Sequence, residues 1–471
     1  MSADALRQLW TAVDGDASLL GEVSFAGPQH ALASTFRVTD VSAAVVGALG
    51  LAASEHLAAR TGRAPRPVAV DRLHAALACR SERYLTADAD LSWPDPLTGD
   101  HRCADGWIRI HTVYPHHRAA ACRVLRVAEE RGAFVAAIRE RSGEEVQEAV
   151  VAAGGAAAVM RTRDDWSVHP HGSQVRSLPL VYIHPPGAAG PEGASPASSH
   201  ALRPLHGVRV LDLTRVIAGP TAAKMLAALG AEVLRVEPPG FAEVPVVSVD
   251  TGFGKRAAVL DLRSGDDRAA FEALVARADV VVHGFRPGSL ARLGLGDDDL
   301  HRLRPGLVTG SLSAWGSAGP WATRRGFDSL VQMASGIAAE GMVAAGTDRP
   351  TPLPMQLLDH ATAYLLALGV VRALTERRSD GRGRSVRVSL ARTAAWIDDL
   401  GRVDRESGLA VAEPGPAVVE PYLALFETSP WGRVRHVRPA FELDGVETGW
   451  LTPPQRPGSS PAEWAPRQPA R

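Results

Sequence analysis

In the second half of the chain the apolar positions fall into short unbroken runs, separated by longer stretches of mixed polarity. "GVRVLDLTRVIAGPTAAKMLAALGAEVLRVEPPG" opens with an apolar strand, Val208 to Leu213, and passes through a Gly-Pro turn into a helix with Pro220 in its first turn and Gly230 at its close. A second strand, Glu232 to Val236, follows and ends in Glu237. Strand, helix and strand in that order predict the start of a parallel sheet, because parallel neighbours need a crossover between them. "ADVVVHGF" supplies a further strand, and "RPGSLARLGLGDDDLHRLRPGLVTGSLSAWG" another helix and strand. Residues 205–412 therefore read as an open α/β domain with a parallel sheet.

The first half is patterned differently. "ADGWIRIHTVYPHHRAAACRVL" predicts a strand and then a helix, and "RGAFVAAIRERSGEEVQEAVVAAGGAAAVMRT" adds helices and a closing strand, which gives a smaller α+β module over residues 103–183. In "HPPGAAGPEGASPASSHALRP", residues 184–204, Pro, Gly, Ala and Ser displace any apolar period, as in a linker. Residues 413–471 are Pro-rich and are expected to form an irregular tail packed on a neighbouring domain. No run approaches the ~20 apolar residues of a membrane span, and the N-terminus carries acids where a signal peptide would have its apolar core.

Sliding the chain along itself reveals a repeat. "TDVSAAVVGALGLAASEHLAARTGR", Thr39 to Arg63, matches "LDHATAYLLALGVVRALTERRSDGR", Leu358 to Arg382, without a gap: an Asp, a long apolar helix, then Gly-Arg. A short alternating strand follows each, "PVAVDRL" and "SVRVSLA". Residues 1–102 thus hold a partial repeat of the segment that carries Asp359. By itself, an Asp before an apolar run reads as a helix N-cap, its side chain accepting from an orphan N–H of the first turn.

Composition narrows the function. In 471 residues, 51 basic side chains stand against 52 acidic ones, for a formal net charge of -1, so no global field recruits nucleic acid or an anionic membrane. Any anionic ligand must be held locally. Cys79, Cys103 and Cys122 lack metal-ligand spacing, and an odd count suits reduced thiols in a cytoplasmic protein. Lys224 and Lys255 are the sole lysines, so an arginine cluster says little here, while the Arg, Ala, Gly and Pro habit suits a GC-rich bacterial genome.

Five blocks in order carry a family resemblance: "VLDLTRVIAGPTAAKMLAALGAEVLRVEPPG", "FGKRAAVLDLRS", "ADVVVHGFRPGSLARLGLGDDDLHRLRPGLVTGSLSAWGSAGP", "RRGFDSLVQMASG" and "LLDHATAYLLALGVVRALTERRSDGRGRSVRVSL". Together they span nearly all of Leu205 to Ala395, and the chain there resembles the family III CoA-transferases, the CaiB/BaiF family. The resemblance implies an α/β fold in which an open parallel-sheet, Rossmann-like CoA-binding domain is joined to a second, smaller α+β domain. "DGWIRIH" and "AAGGAAAVMRTRDDW" are similar to the family's smaller domain, which here precedes the nucleotide-binding half, a permuted or fused order.

The resemblance also assigns roles. Asp359 falls where the family's nucleophile attacks an acyl-CoA thioester, giving a mixed anhydride that CoA thiolate converts to an aspartyl-CoA thioester, from which CoA passes to an incoming carboxylate. Val216, Leu260, Phe285 and Arg292 fall on CoA-contacting positions. From the residues themselves, Arg286 follows a strand end, and Lys255 with Arg256 lies in a loop suited to phosphate. A dinucleotide reading meets "TRVIAGPTA", which lacks G-x-G-x-x-G. A pyridoxal enzyme would need Lys224 or Lys255, and neither has a supporting signal. Family racemases carry a His where this chain has Phe327 in "GFDSL", and phenylalanine carries no proton. His360, beside Asp359, is expected to be structural. The expectation is a CoA-transferase with acyl-CoA and a carboxylic acid as substrates, no tightly bound cofactor, no metal, no nucleic-acid or membrane partner, and a homodimeric state. A racemase, isomerase or lyase, or a non-catalytic CoA-binding protein, is the alternative.

Overall fold

The structure, a computed structural model, describes residues 1–184 and 203–466. Residues 185–202, most of the segment read as a linker, lie outside the described residues.

A seven-stranded sheet organises the second half. Its order is Lys255–Val259, Glu232–Glu237, Arg209–Leu213, Val280–His283, Val308–Ser313, Arg384–Ser389 and Tyr182–Ile183, with all pairs parallel except the last. Numbered by chain position, the six parallel strands run 3-2-1-4-5-6, the doubly wound order. Helices cover both faces, so the central strands have no solvent side to serve with polar residues. Val280, Val281 and Val282 are accordingly buried, with Val280 in register between Val210 and Val308. The order reverses between Arg209–Leu213 and Val280–His283, which leaves a crevice beyond their carboxyl ends.

The repeat is visible in three dimensions. Val38–Thr61 and Leu357–Asp380 are both helices of 24 residues, both end on a left-handed glycine (Gly62, Gly381), and they pack against each other. A Cβ on Gly50 would stand 2.7 Å from Val68, and one on Gly369 would stand 2.5 Å from Val386, so each helix uses its glycine to approach the strand that follows it. Gly50 and Gly369 are equivalent in the repeat. His56 Nδ1 and Thr375 Oγ1, 319 residues apart and also equivalent, meet at 2.9 Å, as side chains do across a two-fold axis. Contrary to the expectation that no run reaches membrane-spanning length, both helices are long and apolar enough by composition, but 89% and 100% of the relevant windows are buried inside the protein. Burial on all sides removes the polar stripe that a half-exposed helix would show.

The smaller module opens at Gly99, slightly before the predicted boundary. Gly99–Cys103, Gly106–Ile110 and Ala157–Val159 form an antiparallel sheet covered by the helices Pro115–Leu125, Arg131–Arg139 and Gly143–Ala152. Ile108, Ile110, Phe134, Ile138 and Val150 make its core. The tail after residue 413, expected to be irregular, contains three strands. Val434–Val437 pairs on one side with Leu423–Phe426 and on the other with Thr86–Ala87, while Phe441–Leu443 pairs with Val68–Asp71. Edge strands supplied from far away leave no local pattern in the sequence of the tail. The three cysteines are free and buried.

Candidate functional site

A cavity of about 360 Å3 lies over the point where the strand order reverses. Leu213, Arg215 and Val216 reach it from the end of one central strand, Gly284, Phe285 and Arg286 from the other, and Leu312 to Ala314 from the next strand along. Tyr114, His116 and His117 close it from the smaller module, and Asp359 lines it from the first turn of Leu357–Asp380. A larger cavity of about 630 Å3 adjoins it, with Phe285, Arg286, Pro287, Leu312 and Ser313 lining both.

Asp359 is not an N-cap. The cap position is Gln356, which makes no side-chain cap, and Asp359 is the third helical residue, where its own N–H is one of the orphans. That N–H donates to Asp328 Oδ2 at 3.1 Å, so the acid that satisfies the helix start comes from the neighbouring helix Asp328–Ala334. Gln332 Nε2 donates to the other oxygen of Asp328 at 2.6 Å, and Gln332 Oε1 accepts from Leu353 N–H. The carboxylate of Asp359, 5% exposed, accepts no hydrogen bond from any described residue. Burial first, then the charges of Asp328 and Glu82, push its pKa well above the usual carboxylate range. Burial likewise raises Asp328 to about 6. His360, fully buried, turns away to Glu82, with Nε2 2.9 Å from Oε2.

The turn after the first central strand is strained and braced. Val216 has φ 67°, a left-handed conformation that a β-branched residue adopts only when its surroundings impose it, at a cost of order 1–3 kcal/mol. Its N–H donates to Glu243 Oε2 at 2.9 Å, and Tyr114 Oη donates to Glu243 Oε1 at 2.5 Å, so one carboxylate fixes both the turn and the loop from the smaller module. Gly219 lets the turn close, since a Cβ there would lie 2.4 Å from Thr214. The Arg215 guanidinium sits 4.0 Å from the Phe241 ring centre and 5.9 Å from that of Phe285, and no described carboxylate pairs with it.

Of the eight residues singled out from sequence, Asp359, Val216, Phe285 and Arg286 line the cavity. The others do not. Lys255 is buried, with Nζ 2.7 Å from Asp212 Oδ2 and 2.7 Å from the Pro220 carbonyl, so it braces the strand ends and has no path to a phosphate. Its burial pulls the ammonium down to about 8, against the opposing charge of Asp212. Arg256 donates to the carbonyls of Glu463 and Pro461 and pins the tail. Leu260 belongs to the core on that side of the sheet. Arg292 is exposed and donates to Ser289, whose side chain is at the cavity rim. Sequence reading missed Asp328, Arg215, Glu243 and the smaller module's Tyr114, His116 and His117. The one signal available for the last three is the density of "HTVYPHH", with three of the chain's 16 histidines in seven residues.

Residues 205–405 match CoA-transferase family III. The matched stretch contains both central strands of the crevice and the Asp359 helix, and it ends before the tail. The chain is 36% identical over 213 residues to a probable fatty acyl-CoA transferase of Mycobacterium tuberculosis, covering 42% of this chain and 54% of that protein. It is 35% identical over 211 residues to a succinyl-CoA–D-citramalate CoA-transferase of Chloroflexus aurantiacus, covering 41% and 51%. A third relative, an acetyl-CoA:oxalate CoA-transferase of Acetobacter aceti, is 33% identical over 239 residues, covering 48% and 60%. The chain thus spans about half the length of the curated relatives it matches. The matched segment supplies the floor of the cavity, and residues outside it, from the smaller module, supply the wall.

Proposed function

We propose that this protein is a CoA-transferase that moves CoA from an acyl-CoA to a carboxylic acid, with Asp359 as the nucleophile and an aspartyl-CoA thioester as intermediate. The observation that carries the proposal is the Asp359 carboxylate: it faces a cavity at the crevice of a doubly wound sheet, and no described residue gives it a hydrogen bond that would hold its lone pairs. A carboxylate so poorly solvated reacts more readily once ionised than one in water, because attack requires less desolvation. Its position in the first turn of a 24-residue helix supplies a positive end of the helix dipole to the charge that develops there. Of the cavity's four arginines, Arg324 is paired with Glu148, and Arg215, Arg286 and Arg325 suit an anionic ligand, while the adjoining larger cavity gives room for the arm of a thioester.

Each step conserves one activated acyl bond. Asp359 takes the acyl group and releases CoA thiolate, the thiolate attacks the aspartyl carbonyl and frees the first acid, and the incoming carboxylate reverses both steps. No net hydrolysis occurs as long as the cavity excludes water, to which Phe241, Phe285 and Phe327 contribute apolar wall. Racemisation finds less support, because Phe327 occupies the wall and His111 stacks face to face on it, with ring centres 3.6 Å apart. A screen of acyl-CoA donors against carboxylate acceptors, read by mass spectrometry of the CoA esters formed, tests the proposal. Transfer lost in Asp359→Ala supports it, and tight acyl-CoA binding without turnover assigns the protein to CoA binding alone.

A further inference from the structure

The smaller module contributes to the cavity a side chain that the steps above leave unused. His117 is in the first turn of the 11-residue helix Pro115–Leu125, is 3% exposed, and lines the same cavity as Asp359. Its ring packs edge-on to Phe327 at 5.7 Å and to Tyr114 at 5.7 Å between centres, with His116 at 4.2 Å. Phe327 directly precedes Asp328, the residue that holds the Asp359 N–H, so the imidazole and the carboxylate are anchored to the same short stretch of wall.

The two ring nitrogens are in different places. Nδ1 is sealed from solvent with no partner among the described residues, whereas Nε2 is not sealed and no described residue bonds it. Nε2 is therefore the atom left to meet a molecule in the cavity. A sealed bare lone pair costs less than a sealed N–H, since orphaned buried donors are the rarer and more costly defect, so the ring proton belongs on Nε2. Protonation of the second nitrogen would place that costly donor at Nδ1. The groups that face the ring, His116, His111 and Arg325, add no negative charge, and burial followed by these neighbours draws His117 down to about 3. It stays neutral at ordinary pH and keeps one donor aimed into the cavity.

We propose that His117 is a catalytic residue that donates a hydrogen bond from Nε2 to the carbonyl oxygen of the bound thioester as Asp359 attacks; this rests on the reading of Asp359 as nucleophile. An Asp359 oxygen forms a bond to the carbonyl carbon, and the π pair of the carbonyl moves onto its oxygen, where the imidazole N–H receives it. The pair returns as the C–S bond breaks and CoA leaves as thiolate, giving the acyl aspartyl anhydride. His117 neither gains nor loses a proton. The same donor serves each later attack on an acyl carbon in that position, because all of them pass through an oxyanion.

The test measures single-turnover acylation of Asp359, trapped with hydroxylamine, in wild type, His117→Leu and His117→Gln, together with acyl-CoA dissociation constants. The Gln amide nitrogen occupies the place of Nε2 and keeps a donor. Leu is expected to slow acylation by about 10²–10³, the usual loss for one oxyanion donor, while leaving the dissociation constant unchanged. Gln is expected to restore most of that rate and to keep the wild-type pH profile between about pH 5 and 8. A Leu variant that acylates at the wild-type rate overturns the proposal while leaving Asp359 in place. A wild-type acid limb that disappears in the Gln variant also overturns it, since the ring would then carry protons. Wild-type turnover with no trappable Asp359 overturns the nucleophile reading itself, and this proposal with it.

Discussion

Asp328→Asn offers a quantitative check on the electrostatics around Asp359. Asp328 is 2% exposed, and burial raises its carboxyl from the ordinary 3.8 to about 6 in the folded protein. A raised folded value means that no penalty exists below the unfolded value of 3.8, that the penalty grows as pH rises toward about 6, and that it is complete above that. About two units at about 1.4 kcal/mol each make the ionised side chain cost roughly 3 kcal/mol of stability at pH 8. Asparagine approximates the protonated acid, with one donor where the carboxylate has two acceptors, so the weaker bonds to Gln332 and the Asp359 N–H are already contained in that difference. The variant is therefore expected to be more stable than wild type by up to about 3 kcal/mol at pH 8 and by roughly half that at pH 5. Urea unfolding at the two pH values measures it. Removing the charge of Asp328 also removes one of the causes that raise Asp359, so the acid limb of the transfer rate moves to lower pH. Equal stability at pH 8 would refute the burial cost assigned to the Asp328 charge, and an unmoved acid limb would refute the claim that this charge opposes ionisation of Asp359.

Other residues give independent checks. Lys255→Met strands the buried Asp212 carboxylate and is expected to cost about 3–5 kcal/mol in chemical denaturation, whereas a phosphate-binding lysine would change acyl-CoA affinity and leave stability alone. Asp40→Ala loses the buried bond from Ser2 Oγ (2.7 Å) and the Arg37 pair, for about 1 kcal/mol, and leaves the transfer rate intact. In deuterium oxide, a 2-methylacyl-CoA is expected to keep its α-proton, because Phe327 stands where a second acid–base group would be needed. The smaller module reaches Asp359 within one chain, so activity per chain is expected to stay constant on dilution whatever dimer light scattering finds.

How far sequence reached depended on whether the deciding interaction was local. The apolar runs, the Gly-Pro turn and Pro220 are local, and they placed the central strands and the first crossover helix close to where they lie. The repeat was legible because Asp, helix and Gly-Arg recur at one spacing, and the His56–Thr375 contact shows the same equivalence in space. Lys255 misled because its neighbour across the sheet, Asp212, sits 43 residues away, and nothing local tells whether an ammonium faces solvent or a buried carboxylate. Asp359 looked like a cap for the same reason: the acid that does cap its helix, Asp328, lies 31 residues earlier on another element. Tyr114 and His117 belong to a module that precedes the crevice in the chain, so only the fold brings them to it.

The claim that Asp359 forms the covalent intermediate is tested most directly by intercepting it. Hydroxylamine or borohydride is added while the protein turns over an acyl-CoA, and peptide mass locates the modification. One modified peptide is expected, the one that contains Asp359, with Asp40 untouched because its carboxylate is occupied by Ser2 and Arg37. Sustained CoA transfer with Asp359 unmodified, or a label on Asp40, would contradict it.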